Sequence, residues 1–151
     1  MLFRSHAEGR ARSIGVSNFL VPHLEELLGA AKQAPAVNQI EVTPFLQRRE
    51  TRELCARHGI VVEAYSPLTH GRRLDHPVVK AVAQRVGRSV AQVLLRWGLQ
   101  QGMVVLPKST NPARIAENGA LFDFALDDRA MRELDALEEG LVTGWDPAEQ
   151  A

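Results

Sequence analysis

One cysteine and one tyrosine occur in 151 residues, and neither sign of charge prevails, since 18 Lys and Arg face 18 Asp and Glu. Each shortage excludes something. A lone thiol, Cys55, forms no internal disulfide, and no group of Cys and His has the spacing of a zinc site, so a reducing, cytoplasmic setting without a bound metal is expected. Zero net charge leaves no basic field for nucleic acid or an anionic membrane. Residues Met1 to Arg12, with Arg4, Glu8, Arg10 and Arg12, lack the apolar core of a signal peptide or a membrane span. Neither a Gly-x-Gly-x-x-Gly turn nor a Walker loop occurs, which argues against a Rossmann or P-loop domain. With 45% hydrophobic and 24% charged residues, the sequence describes a single domain over 1–151 that buries one core.

Short apolar runs alternate with amphipathic stretches, the pattern of a parallel sheet covered by helices. Ser13-Ile14-Gly15-Val16 is a first strand, followed by a helix over Pro22 to Ala31 with Leu24, Leu27 and Leu28 on one face. Ala36 to Ile40 is a second strand, and its helix runs from Arg49 to His58 and stops at Gly59. Cys55 lies within that helix and reads as a packing residue rather than a nucleophile. Ile60 to Tyr65 is a third strand, leading through a loop from Ser66 to Asp75 into a helix over Pro77 to Val86. Ser89 and Gln92 form a capping-box signature for another helix, which carries Val93, Leu94 and Trp97 up to Gly102. Met103 to Leu106 is a fourth strand. After the next helix, Phe122 to Leu126 is an extended link, Asp127 caps a last helix to Leu137 with Met131, Leu134 and Leu137 inward, and 141–151 is an irregular tail.

The fourth strand runs into Pro107-Lys108-Ser109-Thr110-Asn111-Pro112, where Asn111 and Pro112 are a good N-cap and first-turn pair. The free N–H groups of that helix end, with Lys108 and Arg114, suit a phosphate; the plainer alternative is a capped helix with solvated cations. Ser17 and Asn18, Gln39, Tyr65 and Ser66, and Lys108 and Ser109 all fall where strands end, and in parallel α/β architectures ligands bind at the carboxyl ends of strands. Taken singly, Asn18 is equally a helix cap, Tyr65 a core residue and Gln39 a buried polar group.

Four of these segments resemble the aldo-keto reductases: Ile14-Gly15-Val16-Ser17-Asn18-Phe19, Pro35-Ala36-Val37-Asn38-Gln39-Ile40-Glu41, Glu63-Ala64-Tyr65-Ser66-Pro67-Leu68, and Leu106-Pro107-Lys108-Ser109 with Arg114, Glu117 and Asn118. They keep the family's order and spacing from about Ala7 to Pro147, nearest its bacterial diketogluconate-reductase-like members. The resemblance implies a partial (β/α)8 TIM barrel of about four βα units plus a C-terminal helix, and a nicotinamide cofactor, NADP(H). By the same resemblance Ser17, Asn18 and Gln39 meet the nicotinamide carboxamide and Tyr65 stacks on the ring. Ser66 and Leu68 lie against the pyrophosphate, with the loop from Thr69 to Arg73 folding over it. Lys108, Ser109 and Arg114 hold the 2′-phosphate and favour NADP over NAD, Glu117 with Asn118 meets the adenine, and Thr110 is a further cofactor-binding residue.

The family's hydride chemistry also uses a tyrosine acid assisted by an aspartate, a lysine and a histidine, which come from the first half of its barrel. Here the one tyrosine already holds the ring-stacking place, and His6, His23, His58, His70 and His76 fall outside the family's histidine motif, so no catalytic residue is assigned. Thr43-Pro44 stands where relatives often have His-Pro. A (β/α)8 barrel takes about 250 residues, so the protein is expected to continue upstream, with Met1 a false or internal start inside a helix; the alternative is a homodimer in which a second half-barrel covers the open edges. The expected activity is reduction of an aldehyde or ketone substrate by NADPH; the alternative is a non-catalytic NADP-binding or self-associating half-barrel. Trp145 is expected as a packing anchor rather than a substrate contact.

Overall fold

The computed structural model describes residues 2–147. Its elements alternate as the apolar periodicity requires. A short helix α1 (Leu2–Ala7) precedes β1 (Gly15–Ser17), and α2 (Val21–Ala30) leads to β2 (Val37–Glu41). Next come α3 (Arg49–Arg57), β3 (Val61–Tyr65), a 3-10 turn over Thr69–Gly71, and the pair α4 (Pro77–Val86) and α5 (Val90–Gln100). β4 (Val104–Leu106), α6 (Pro112–Gly119) and α7 (Asp128–Asp135) complete the described elements. The strands form one parallel sheet in the order β1-β2-β3-β4, each joined to the next by a helical crossover. Among the described residues, no helix is long and apolar enough to cross a membrane.

The described residues gather into two compact units, one of 2–40, 48–63 and 145–147, the other of Glu41–Gln47 and Ala64–Gly144. In the first, β1 and β2 pair in register Gly15↔Val37, Val16↔Asn38 and Ser17↔Gln39. Glycine at 15 is a steric requirement: a Cβ there would stand 3.0 Å from the Val37 carbonyl oxygen and 3.2 Å from its Cβ. β1 therefore lies one to two residues later than the apolar run suggested, beginning where pairing begins. The N-cap of α2 is Leu20, whose N–H donates to His23 Nδ1 at 3.1 Å, so Asn18 is not a helix cap. Leu24, Ile40, Leu54, Cys55, Ile60 and Val62 are buried in this unit. Desolvation there pushes the Cys55 thiol up from its ordinary value, as expected of a packing residue.

In the second unit the helix pairs α4 with α5, α4 with α7 and α5 with α6 pack together around Val79, Val82, Val93, Leu94, Trp97 and Leu134, all essentially inaccessible. Ser89 and Gln92 make the expected capping box, with Oγ accepting from Gln92 N–H at 3.2 Å and Oε1 accepting from Ser89 N–H at 3.1 Å. Gly98 permits α5 to approach β4, since a Cβ at 98 would sit 2.6 Å from Val105 Cγ1. Asp127 caps α7 through the Ala130 N–H at 2.7 Å, but the helix ends at Asp135 and buries Ala130 with Leu134, leaving Met131 and Leu137 half-buried. The chain beyond it returns to the segment 41–47. Phe45 carbonyl accepts from the N–H groups of Glu139 and Leu141, Gln47 Nε2 donates to Asp135 carbonyl at 2.8 Å, and buried Glu41 accepts from both the N–H and the hydroxyl of Thr143.

Residues 141–146 contain neither helix nor strand, while 148–151, the rest of the expected tail, lie outside the described residues, as does Met1. Trp145 is 50% exposed, which overturns the expectation of a packing anchor: Arg48 holds this part of the first unit instead, through an ion pair with Asp146 at 3.1 Å.

Candidate cofactor site

In the first unit the carboxyl ends of β1 and β2 bring Ser17, Asn18 and Gln39 together. The register sets Ser17 beside Gln39, and the Gln39 backbone carbonyl accepts from Ser17 Oγ at 3.0 Å and from Asn18 N–H at 2.9 Å. Asn18 takes φ +61°, a left-handed turn that Asn tolerates better than most residues and that ends the strand abruptly. Gln39, half-buried, donates from Nε2 to Glu63 Oε2 at 2.9 Å. Glu63, part of the Glu63-Ala64-Tyr65 motif, carries no role that its local sequence shows. Alternation along β3 was the missed signal, because 61, 63 and 65 share a face while Val62 and Ala64 are buried on the other.

In the second unit Tyr65 ends β3 half-buried, and the chain enters a loop that is unusual in its backbone. Ser66, Thr69 and His70 all take positive φ, at +49°, +54° and +51°. Each costs a non-glycine residue about 1 kcal/mol or more, and local bonds hold the strained conformation. Ser66 Oγ meets His70 Nε2 at 2.8 Å, Thr69 Oγ1 donates to Leu68 carbonyl at 2.7 Å and accepts from Arg73 N–H at 3.1 Å, and Arg73 pairs with Glu139 at 2.7 Å. Leu68 is half-buried and Thr69 fully buried.

Farther along the second unit, β4 delivers Lys108 and Ser109 to the start of α6, and a cleft of ≈ 480 Å³ opens between them, lined by Pro107, Lys108, Ser109, Ile115, Asn118 and Gly119. Lys108 and Arg114 are exposed, and neither makes an ion pair with another described residue. Thr110 is exposed and Glu117 half-buried, and neither they nor Arg114 lines the cleft. Ile115, 55% exposed, supplies an apolar wall that the sequence reading overlooked. α6 buries none of its side chains and is held through its backbone, where Gln92 Nε2 donates to Ala120 carbonyl at 2.9 Å.

One expectation is corrected here. The end of α6 offers no spare N–H at its first turn, because Asn111 Oδ1 accepts from Ala113 and Arg114 at 2.9 and 3.3 Å, Asn111 carbonyl accepts from Ile115 N–H at 3.0 Å, and Pro112 has none to give. An anion is left with the side chains of Lys108, Ser109 and Arg114 and with the dipole of the helix.

A sequence model of the Aldo/keto reductase family matches residues 1–139. The chain belongs to that family. Among its relatives, the uncharacterized oxidoreductase YtbE of Bacillus subtilis (strain 168) is 49% identical over 142 residues, 94% of this chain and 51% of YtbE. Glyoxal reductase of the same bacterium is 47% identical over 148 residues, 98% of this chain and 54% of that enzyme. A solved mutant of Gox0644 in complex with NADPH matches at TM-score 0.91 and 42% identity, covering 97% of this chain and 55% of that one. The aldo-keto reductase chain described here thus spans about half the length of the curated relatives it matches. The solved members are TIM barrels of which it covers about half, in agreement with the fold class expected from the motifs.

Proposed function

We propose that this chain provides the NADP(H)-binding part of a carbonyl reductase. The observation that carries the reading is the cleft lined by Lys108 and Ser109, with Arg114 on the adjoining helix and neither cation paired with a described anionic residue. The residues present fit the cofactor's chemistry. Lys108, Ser109 and Arg114 suit a phosphate monoester, Thr110 adds a hydroxyl, and Ile115 with Asn118 and Glu117 suits a base that is apolar on its faces and polar at its edge. In the first unit Ser17, Asn18 and Gln39 suit a carboxamide. Tyr65 is an aromatic face for a ring, and Ser66 and Leu68 stand on a strained, tightly bonded loop of the kind that meets a diphosphate.

NADPH, when bound, supplies the hydride that an aldehyde or ketone carbon accepts, while an acid delivers the proton that completes the alcohol. The chain's own residues bind and orient; none of them is assigned as the acid. The test is calorimetric titration of the purified chain with NADPH and NADH: tighter binding of NADPH supports the reading, and absence of binding to either overturns it. One observation favours self-association as a second role: in β4, Val104 and Leu106 are 42% and 38% exposed on one face. A mass of one chain in solution by sedimentation at micromolar concentration would remove that role.

A further inference from the structure

Glu63 has no place in the reading above, yet it controls one of its residues. Its Oε2 accepts from Gln39 Nε2 at 2.9 Å, both side chains being half-buried in the first unit. An ionised carboxylate accepts hydrogen bonds and donates none, so the NH2 end of the Gln39 amide has to face Glu63 and the Oε1 end has to face away. The Gln39 backbone is pinned as well, by Ser17 Oγ and Asn18 N–H on its carbonyl, so the side chain departs from a fixed point. No hydrogen bond from a described residue reaches Gln39 Oε1. Ser17, whose hydroxyl donates to the Gln39 carbonyl, is likewise left with lone pairs.

We propose that Glu63 is a positioning residue that sets the polarity of Gln39, so that this side chain presents an acceptor only and selects a ligand group carrying an N–H donor. Resting on the NADP(H) reading, this identifies the NH2 of the nicotinamide carboxamide as the group selected. A glutamine with no carboxylate beside it turns either end outward and selects nothing.

The test compares NADP+ with its 3-acetylpyridine analogue, in which a methyl ketone keeps the carbonyl and loses the N–H, by calorimetric titration of the purified chain. The chain should bind NADP+ roughly 3- to 10-fold more tightly than the analogue, the worth of one hydrogen bond. Glu63→Gln, nearly isosteric and able to accept or donate, should bring the ratio within about twofold, chiefly by tighter binding of the analogue to the freed amide. In a Gln39→Leu background the same substitution should leave the ratio unchanged. An unchanged preference in Glu63→Gln overturns the proposal, as does an equal loss for both ligands, the mark of a general structural defect. A chain that binds neither ligand overturns the NADP(H) reading and the proposal together, an outcome distinct from binding without discrimination.

Discussion

On the proposed NADP(H) reading, replacing Lys108 and Arg114 by Ala should turn a preference for NADP+ into indifference to the 2′-phosphate. Both side chains are exposed and make no ion pair with a described residue, which sets the size of the effect. Charges about 4 Å apart attract by roughly 1 kcal/mol in bulk water and roughly 4 kcal/mol at the effective dielectric of a protein surface. Hydrogen bonds to charged groups contribute about 1.5 to 3 kcal/mol. Exposure places each cation near the bottom of that range, about 1.4 kcal/mol or tenfold in affinity. The double variant should therefore bind NADP+ about 100-fold more weakly. NAD+, without the monoester, should change less than about twofold, because the helix dipole and the Asn111 cap are untouched. Calorimetry with both cofactors reads the two affinities, and raising the salt should weaken NADP+ binding to the parent chain far more than to the double variant. Equal losses for both cofactors, or an intact preference for NADP+, would refute the assignment of these cations to the phosphate.

Gly15→Ala should destabilise the first unit by about 1 to 3 kcal/mol, since the new methyl meets the Val37 backbone and β1 must shift from β2; urea denaturation measures it. Asn111→Ala removes the acceptor of two helix N–H groups and should lower stability by about 1 kcal/mol in the same assay. Cys55, whose thiol is raised by burial, should resist iodoacetamide in the native chain near pH 8 and react once the chain is unfolded. The raised value also fixes a sign. The folded state holds this proton longer than the unfolded one, so the stability linked to it is complete below the unfolded thiol's pKa and is lost as pH rises through the folded one. Between neutral and alkaline pH the parent chain should accordingly lose more stability than Cys55→Ala, which has no thiol to titrate, as urea denaturation across that pH range would read.

Much of the architecture was legible because it depends on short-range chemistry. The Ser89 and Gln92 box, the Asn111 and Asp127 caps and the αL glycine ending α4 are each written in a few adjacent residues. Boundaries set by partners were less legible. β1 starts at Gly15 because pairing with Val37 starts there, and α7 stops at Asp135, whose carbonyl is taken by Gln47 from far upstream. At the candidate site, residue types at strand ends were readable, and their bonding was not. Nothing local announces that Glu63 orients Gln39 across two strands, or that Asn111 already occupies the N–H groups an anion would want. Thr69 is a similar case: its hydroxyl ties together a loop whose strain only φ values reveal.

The return of 135–143 onto 41–47 has a consequence for how the chain is made. Glu41 and Gln47 leave the ribosome before their partners Thr143 and Glu138, which follow 102 and 91 residues later. Throughout that interval a buried carboxylate and a buried amide wait in water or with substitutes, and closing so long a loop carries an entropic cost that grows only slowly with its length but is repaid all at once. The second unit therefore reaches its final form as a late, cooperative event of synthesis, and a ribosome stalled before Thr143 should hold a nascent chain whose α4 and α5 are formed while Phe45 and Glu41 remain open to protease.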